Sequence, residues 1–269
     1  MKKQNYTPHI FALSFLFTLG NSIIFMSRTQ IINAFLYCAI IIISLLITTR
    51  ILHCSKEKKA IYFVFISLLG AAALYGAITT FLDYFKFLKT EQIPNTNTIF
   101  LITVLIFITV IFVLQKEHAI YKYCLFAFFV VSAIILICLI SGIKNFDYRN
   151  FKFAFFDLPL FKRNILYFLP TIVLPIFSYS ETKKTNPAVL GVTAGFVCLC
   201  LMSVQAMLTL GCTNNAKTPY LNTISAITLG SLFTRLDGLV WFLFFVGAMV
   251  KVAVCVKVFL KMIKTILKK

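Results

Sequence analysis

Charged side chains are scarce in this chain of 269 residues: they make up 13% of it, and only 8 residues are acidic. A soluble enzyme of this length needs roughly twice that fraction to cover its surface, so a soluble catalytic domain is excluded. Ten glycines and seven prolines leave little room for long disordered linkers. No Cys-x-x-Cys pair occurs, and the closest two cysteines, Cys198 and Cys200, point about 200° apart on a helix. The eight cysteines lie mostly in apolar stretches and read as small buried hydrophobes, with no metal or cofactor implied. His9, His53 and His118 fall at the ends of apolar stretches near Lys or Pro, where interfacial solvation accounts for them. Intramembrane enzymes place carboxylates, His or Ser/Lys dyads at depth. Here Glu57, Asp83, Glu91, Glu117, Asp147, Asp157, Glu181 and Asp237 all read as helix ends or connections. No enzyme is therefore expected, and a pump with a buried carboxylate relay lacks support, whereas a passive or weakly coupled carrier stays open.

What is abundant is apolar: 60% hydrophobic residues, including 30 Phe, with a mean hydropathy of +0.94. A spanning helix needs about 20 apolar residues, or about 17 at the short limit. Eight stretches qualify, at 10–26, 31–51, 60–82, 98–114, 122–143, 164–180, 187–210 and 239–262. Their large residues show no period-2 alternation, which excludes an outer-membrane barrel and predicts an all-α membrane protein, one polytopic domain over residues 1–269 with about eight transmembrane helices. Lys2 and Lys3 before an apolar run mimic a secretory signal, but Asn21 to Arg28 holds no small-residue cleavage site, so the run is read as the first span.

The excess of 26 Lys+Arg over 8 Asp+Glu suggests anchors at lipid surfaces, not a nucleic-acid partner. With eight spans and an internal N-terminus, fifteen cations fall on the cytoplasmic side and ten outside, five of them between Lys144 and Arg163. Both termini are thus expected in the cytoplasm. The remaining cation, Lys251, lies inside the last span. It stands about 120° from the stripe of Lys257, Lys261, Lys264 and Lys268, so it either snorkels to the inner interface or faces the bundle interior, toward a carbonyl, carboxylate or ligand.

Two spans carry breaks. Thr18, Gly20, Asn21 and Ser22 interrupt the first, and in the sixth Pro170 and Pro175 bracket Thr171, with Ser178 beyond. Proline removes a backbone donor, and unwound backbone at depth is tolerated only where protein or a hydrated cavity satisfies it. Breaks in the first and sixth helices are the arrangement expected of a five-helix unit repeated in inverted orientation around a substrate; a kink or a small-residue packing face is the simpler alternative.

Several segments resemble the spore germination permease family, the B-type subunits of nutrient germinant receptors, a branch of the amino acid, polyamine and organocation transporter superfamily. They are TPHIFALSFLFTLGNSIIFM, TTFLDYFKFLKTEQIPNTNTIFLITVLIF, ISGIKNFDYRNFKFAFFDLPL and KTPYLNTISAITLGSLFTRLDGLVWFLFFVGAMVKVAVCVKVF. The last contains the pair Arg235 and Asp237 ahead of a Trp-containing helix; locally, Asp237 also reads as a helix cap. The resemblance implies a LeuT-like inverted-repeat architecture lacking the last two helices of the usual ten. It implies nutrient sensing in the spore inner membrane, with an A-type membrane subunit and a C-type lipoprotein as partners. The ligand, a small nutrient such as an amino acid, is then expected between the two breaks, at Thr18, Gly20, Asn21, Ser22, Pro170, Thr171, Pro175 and Ser178, with Lys251 near. A transporter of the same superfamily and a degenerate scaffold subunit remain the alternatives.

Reporter fusions along the chain are expected to place both termini on the cytoplasmic face with an even number of crossings; an odd number overturns this topology.

Overall fold

Backbone groups in lipid have no water to bond, so a spanning chain must satisfy them within itself. The computed structural model describes residues 7–21, 31–54, 59–150, 165–174, 186–210 and 237–267, and among them every regular element is helical. The long helices are α1 (Thr7–Leu19), α2 (Ile31–Cys54), α3 (Lys59–Phe87), α4 (Thr98–Leu114), α5 (Glu117–Gly142), α6 (Asn186–Leu210) and α7 (Asp237–Leu267). Among the described residues four stretches are long and apolar enough to cross a membrane: Val64–Thr90, Glu117–Asn145, Asn186–Ala206 and Trp241–Lys264. Large apolar side chains stand exposed on them and on their neighbours, among them Leu68 at 65%, Phe107 at 65% and Phe126 at 70%. Such a surface suits a hydrocarbon solvent and not water. The protein is an all-α membrane protein.

The apolar stretches and the helices differ in instructive places. α3 does not stop at Leu82: it runs through Asp83 to Phe87 and continues as one π-helical turn, Leu88–Gln92. Tyr84, Phe87 and Leu88 are buried there, so the apolar face of the helix continues past the carboxylate. The reading of Asp83 as a helix end is corrected on this point, since it lies within the span Val64–Thr90. Lys89 then donates to the carbonyls of Pro94 and Thr96, closing the turn toward α4, whose first turn is capped by the Asn97 side chain accepting from the Ile99 N–H at 2.9 Å. α5 begins at Glu117, five residues before the expected 122, with the acidic side chain in the first turn. After α5 come two short 3-10 turns, Ile143–Asn145 and Tyr148–Asn150, fixed by the Asp147 N–H donating to the Leu208 carbonyl at 2.9 Å. Residues 151–164 lie outside the described residues, as does the connection before α7, Arg235 included.

α1 and α7 form the interior. Ile10 and every residue from Ala12 to Leu19 of α1 are buried, and 72% of the span of α7 is buried against 33% of that of α5. A helix apolar on all sides belongs in a core of other helices, not at its edge. α1 lies in close contact with α6 through Gly191 and Gly195, a small-xxx-small pair. A Cβ at Gly191 would lie 2.4 Å from the Phe11 carbonyl oxygen and one at Gly195 2.7 Å from Thr18 Cβ. Because 191 meets 11–14 while 195 meets 15–18, α1 and α6 run parallel. α4 and α7 are also parallel, with Thr109 against Met249 and Lys257 donating to the Gln115 carbonyl. α3 and α7 are antiparallel, pairing Gly70 with Met262, Gly76 with Cys255 and Tyr84 with Phe245. Hydroxyls in the spans are mostly turned back on their own helix, as for Thr18 to the Ser14 carbonyl at 2.9 Å and Thr193 to Val189 at 2.9 Å.

At the crossing of α1 over α7 two backbones meet directly. A Cβ on Gly247 would stand 2.8 Å from the Gly20 nitrogen and 2.9 Å from the Leu19 carbonyl carbon, both backbone atoms that cannot swing aside. Gly247→Val is expected to destabilise the protein by about 1–3 kcal/mol in denaturant titration of the detergent-solubilised chain, whereas Ile140→Val on the lipid-facing side of α5 leaves the midpoint unchanged.

Candidate functional site

A lysine ammonium deep in an apolar bundle is tolerated only when oxygen atoms surround it. Lys251 is 1% exposed, on the face of α7 turned toward α1, and its Nζ donates to Asn21 Oδ1 at 2.6 Å and to the Tyr167 carbonyl at 3.4 Å. Of the two sequence readings, the interior one is realised and the snorkelling one is not.

Two local breaks in helical geometry make those acceptors available. α1 ends at Leu19, and the chain turns at Gly20 and Asn21 through hydrogen bonds from the Gly20 N–H to the Leu16 and Phe17 carbonyls and from the Asn21 N–H to the Thr18 carbonyl. The Asn21 amide also donates to the Thr18 carbonyl at 3.2 Å, so its Oδ1 is left facing Lys251. Gly20 is required here by proximity: a Cβ would lie 2.6 Å from the Gly247 carbonyl oxygen and 2.9 Å from Lys251 Cβ. In the sixth segment, residues 165–168 are α-helical and Leu169–Val173 tighten to a 3-10 helix. Pro170, three residues after Tyr167, has no N–H to offer its carbonyl, which accepts from the ammonium. Phe168 stacks on Tyr37 of α2 at 5.0 Å and meets Phe196 of α6 at 5.5 Å, which pins the segment from two sides.

The expected site residues therefore divide. Gly20, Asn21 and Lys251 come together directly, and Thr18 joins them through its carbonyl. Pro170 and Thr171 are buried in the 3-10 turn immediately after Tyr167, and the Thr171 hydroxyl has no hydrogen-bond partner among the described residues. Ser22, Pro175 and Ser178 lie outside the described residues.

Sequence reasoning missed Asp83. Its Oδ2 is buried without a hydrogen-bond partner among the described residues although the side chain as a whole is half-buried, and the cations that act on it are Lys86 of the same helix and then Lys251 of α7. The signal was present in the apolar residues that follow it, Tyr84, Phe87 and Leu88, which keep the spacing of one helical face. It also missed the Tyr167 carbonyl, because a backbone acceptor leaves no mark on residue type beyond the Pro that frees it. Among the described residues no three His, Cys, Asp or Glu side chains gather as metal ligands. The described cysteines carry free thiols, and Cys124, Cys138 and Cys255 are buried.

Hydrogen bonds to charged groups contribute about 1.5–3 kcal/mol, and more is lost when one partner stays buried alone. Asn21→Leu, which strands the ammonium, is expected to destabilise the chain by at least about 2 kcal/mol, and Lys251→Met by less. The double variant recovers part of the loss, so that a double-mutant cycle in detergent gives a coupling energy of about 1 kcal/mol or more; additive losses would refute the contact.

No protein-family model, no curated protein and no solved structure matches this chain.

Proposed function

We propose that this chain is the integral membrane subunit of a spore nutrient germinant receptor, sensing a small nutrient such as an amino acid. The observation that carries the reading is the meeting, within the bundle, of the interrupted end of the first helix, the 3-10 segment after Tyr167 and the ammonium of Lys251. Discontinuous helices that expose backbone groups beside an ionisable residue are how membrane carriers and their relatives hold small polar ligands. The four motif segments and their resemblance to the germination permeases supply the biological role and the expected partners, an A-type membrane subunit and a C-type lipoprotein, in the spore inner membrane.

An eight-span, LeuT-like arrangement is part of the same proposal. Numbered in chain order, with the segment around Leu169–Val173 as sixth, α1 and α6 are the first and seventh spans and run parallel. α4 and α7, fourth and eighth, also run parallel, while α3 and α7, third and eighth, run antiparallel. Each relation agrees with strict up-and-down alternation. Signalling follows if the nutrient prefers one of two bundle arrangements, since a ligand shifts an equilibrium only by its difference in affinity between them.

One observation favours the transporter reading as the second choice: Asp83, with a buried carboxylate oxygen, lies on the helix packed along the one that carries buried Lys251, a carboxylate within a span that the sequence reading lacked. Spores carrying Asn21→Ala with Thr171→Ala are expected to need a nutrient concentration about tenfold higher for half-maximal germination, the equivalent of one lost ligand hydrogen bond. An unchanged dose response removes the assigned site. Proteoliposomes containing the chain are expected to bind nutrient without accumulating it, and accumulation would establish the transporter instead.

A further inference from the structure

The α3–α7 contact holds several buried polar groups that nothing described satisfies, and they are not scattered. The pairs Gly76 with Cys255 and Tyr84 with Phe245 bracket the antiparallel register and bring Thr80 level with Lys251. Thr80 and Asp83 are three residues apart, and with Gly76 and Tyr84 they occupy one side of α3. Thr80 is 4% exposed, and its hydroxyl has no partner among the described residues. That is an exception in this bundle, where Thr18, Thr48, Thr79, Thr103, Thr109 and Thr193 all bond the carbonyl four residues back. Thr80 does not turn its hydroxyl to its own helix and so keeps it for something else.

Lys251 has the same kind of surplus. An ammonium carries three donors, and two acceptors face this one, the second at the long distance of 3.4 Å. Asp83 supplies the complementary surplus, an acceptor oxygen buried without a donor. Exposed Lys86 on its own helix acts on the half-buried Asp83 ahead of Lys251, and among the described residues neither lysine forms an ion pair with it within 4 Å. A buried donor on Lys251 and a buried acceptor on Asp83 that are left without partners are each costly in an apolar interior unless something completes them. A ligand with one positive and one negative end completes both; a simple cation or anion completes one and leaves the other stranded.

We propose that the seam between α3 and α7 is a binding site for a small zwitterion, with the anionic end taken by Lys251 and Thr80 and the ammonium end by Asp83. It rests on the reading that the bundle binds a small nutrient, and adds to it the orientation of the ligand and two residues of α3. Asn21 and the Tyr167 carbonyl act as positioning groups, holding the Lys251 ammonium by two of its donors and leaving the third for the ligand.

The test uses the full chain in lipid nanodiscs with each standard L-amino acid added singly, read by thermal shift and by titration calorimetry. At least one is expected to bind, while its amide, which lacks the anion, and its deaminated acid, which lacks the cation, bind at least about tenfold more weakly. Asp83→Asn is expected to weaken the zwitterion at least about tenfold and to leave the affinity of the deaminated acid unchanged. Thr80→Val weakens both. Asp83→Glu, which keeps the charge, restores part of the binding and guards against reading a folding defect as a loss of site, as does the unliganded melting temperature of each variant. If an amino acid binds and Asp83→Asn leaves its affinity intact while Asn21→Ala with Thr171→Ala lowers it, the α3 site is wrong and the site between the breaks stands. Equal binding of the deaminated acid and the parent also overturns the zwitterion. If no amino acid binds the wild-type chain, the zwitterion site is overturned, while the germination dose response of Asn21→Ala with Thr171→Ala decides the nutrient reading separately.

Discussion

An ammonium cannot remain charged in an apolar bundle without oxygen around it, and the need to satisfy Lys251 constrains the elements at the centre of this protein. α1 must end where it does, because only a turn at Gly20 and Asn21 brings an amide oxygen to Nζ. Gly20 and Gly247 must both lack side chains, because the backbones of α1 and α7 approach too closely for a Cβ on either. The sixth segment must depart from α-helix near Pro170 for a carbonyl to face inward. These are three different sequence devices, an Asn, a Gly pair and a Pro, serving one electrostatic requirement. Polar groups in a membrane interior are expensive, and their retention at one point is the ordinary mark of a functional site.

Packing around that point follows from the same constraint. α7 carries the charge and is the most enclosed of the four long spans, at 72% buried. α3 lies along it antiparallel, and α1 crosses it at the paired glycines, so the low-dielectric shell that makes the charge costly is built by the helices that satisfy it. The remaining cations near α7 behave differently. Lys261 makes a half-exposed ion pair with Glu117 at 3.6 Å, and Lys257 reaches the Gln115 carbonyl at the end of α4. Such surface contacts contribute about 0–1 kcal/mol each and anchor the bundle end more than they stabilise it.

Much of the architecture was legible because hydrocarbon imposes so few solutions. α4 spans Thr98–Leu114, the run expected from composition alone, since an apolar stretch bounded by Asn97 and Gln115 has only helix available to it. The placement of Lys251 off the stripe of Lys257, Lys261 and Lys264 made an interior position one of two readings, because angular position on a helix depends only on spacing, while a snorkelling side chain stayed equally compatible with it. Asp83 was misplaced for a physical reason: a charge next to an apolar run ordinarily marks the interface, and only the continued packing of Tyr84, Phe87 and Leu88 carries α3 beyond it. The Gly191-x-x-x-Gly195 seam was written in the sequence too, but which helix it would receive was not, because small-residue faces specify close approach without specifying a partner.

By itself, then, the sequence determined that this protein is a bundle of apolar helices in a membrane, that two apolar stretches carry Gly-Asn or Pro interruptions, and that one lysine falls inside an apolar stretch, its direction left open. Those properties depend on transfer free energies and on local backbone chemistry, which each residue carries with it. Only the tertiary structure decided that Asn21, 230 residues away in the chain, is the partner of Lys251, and that Thr80 is buried on the helix that packs antiparallel along α7. Such pairings depend on which helices lie side by side and in which register, and these are set by the joint packing of α1, α3 and α7 and not by any segment alone.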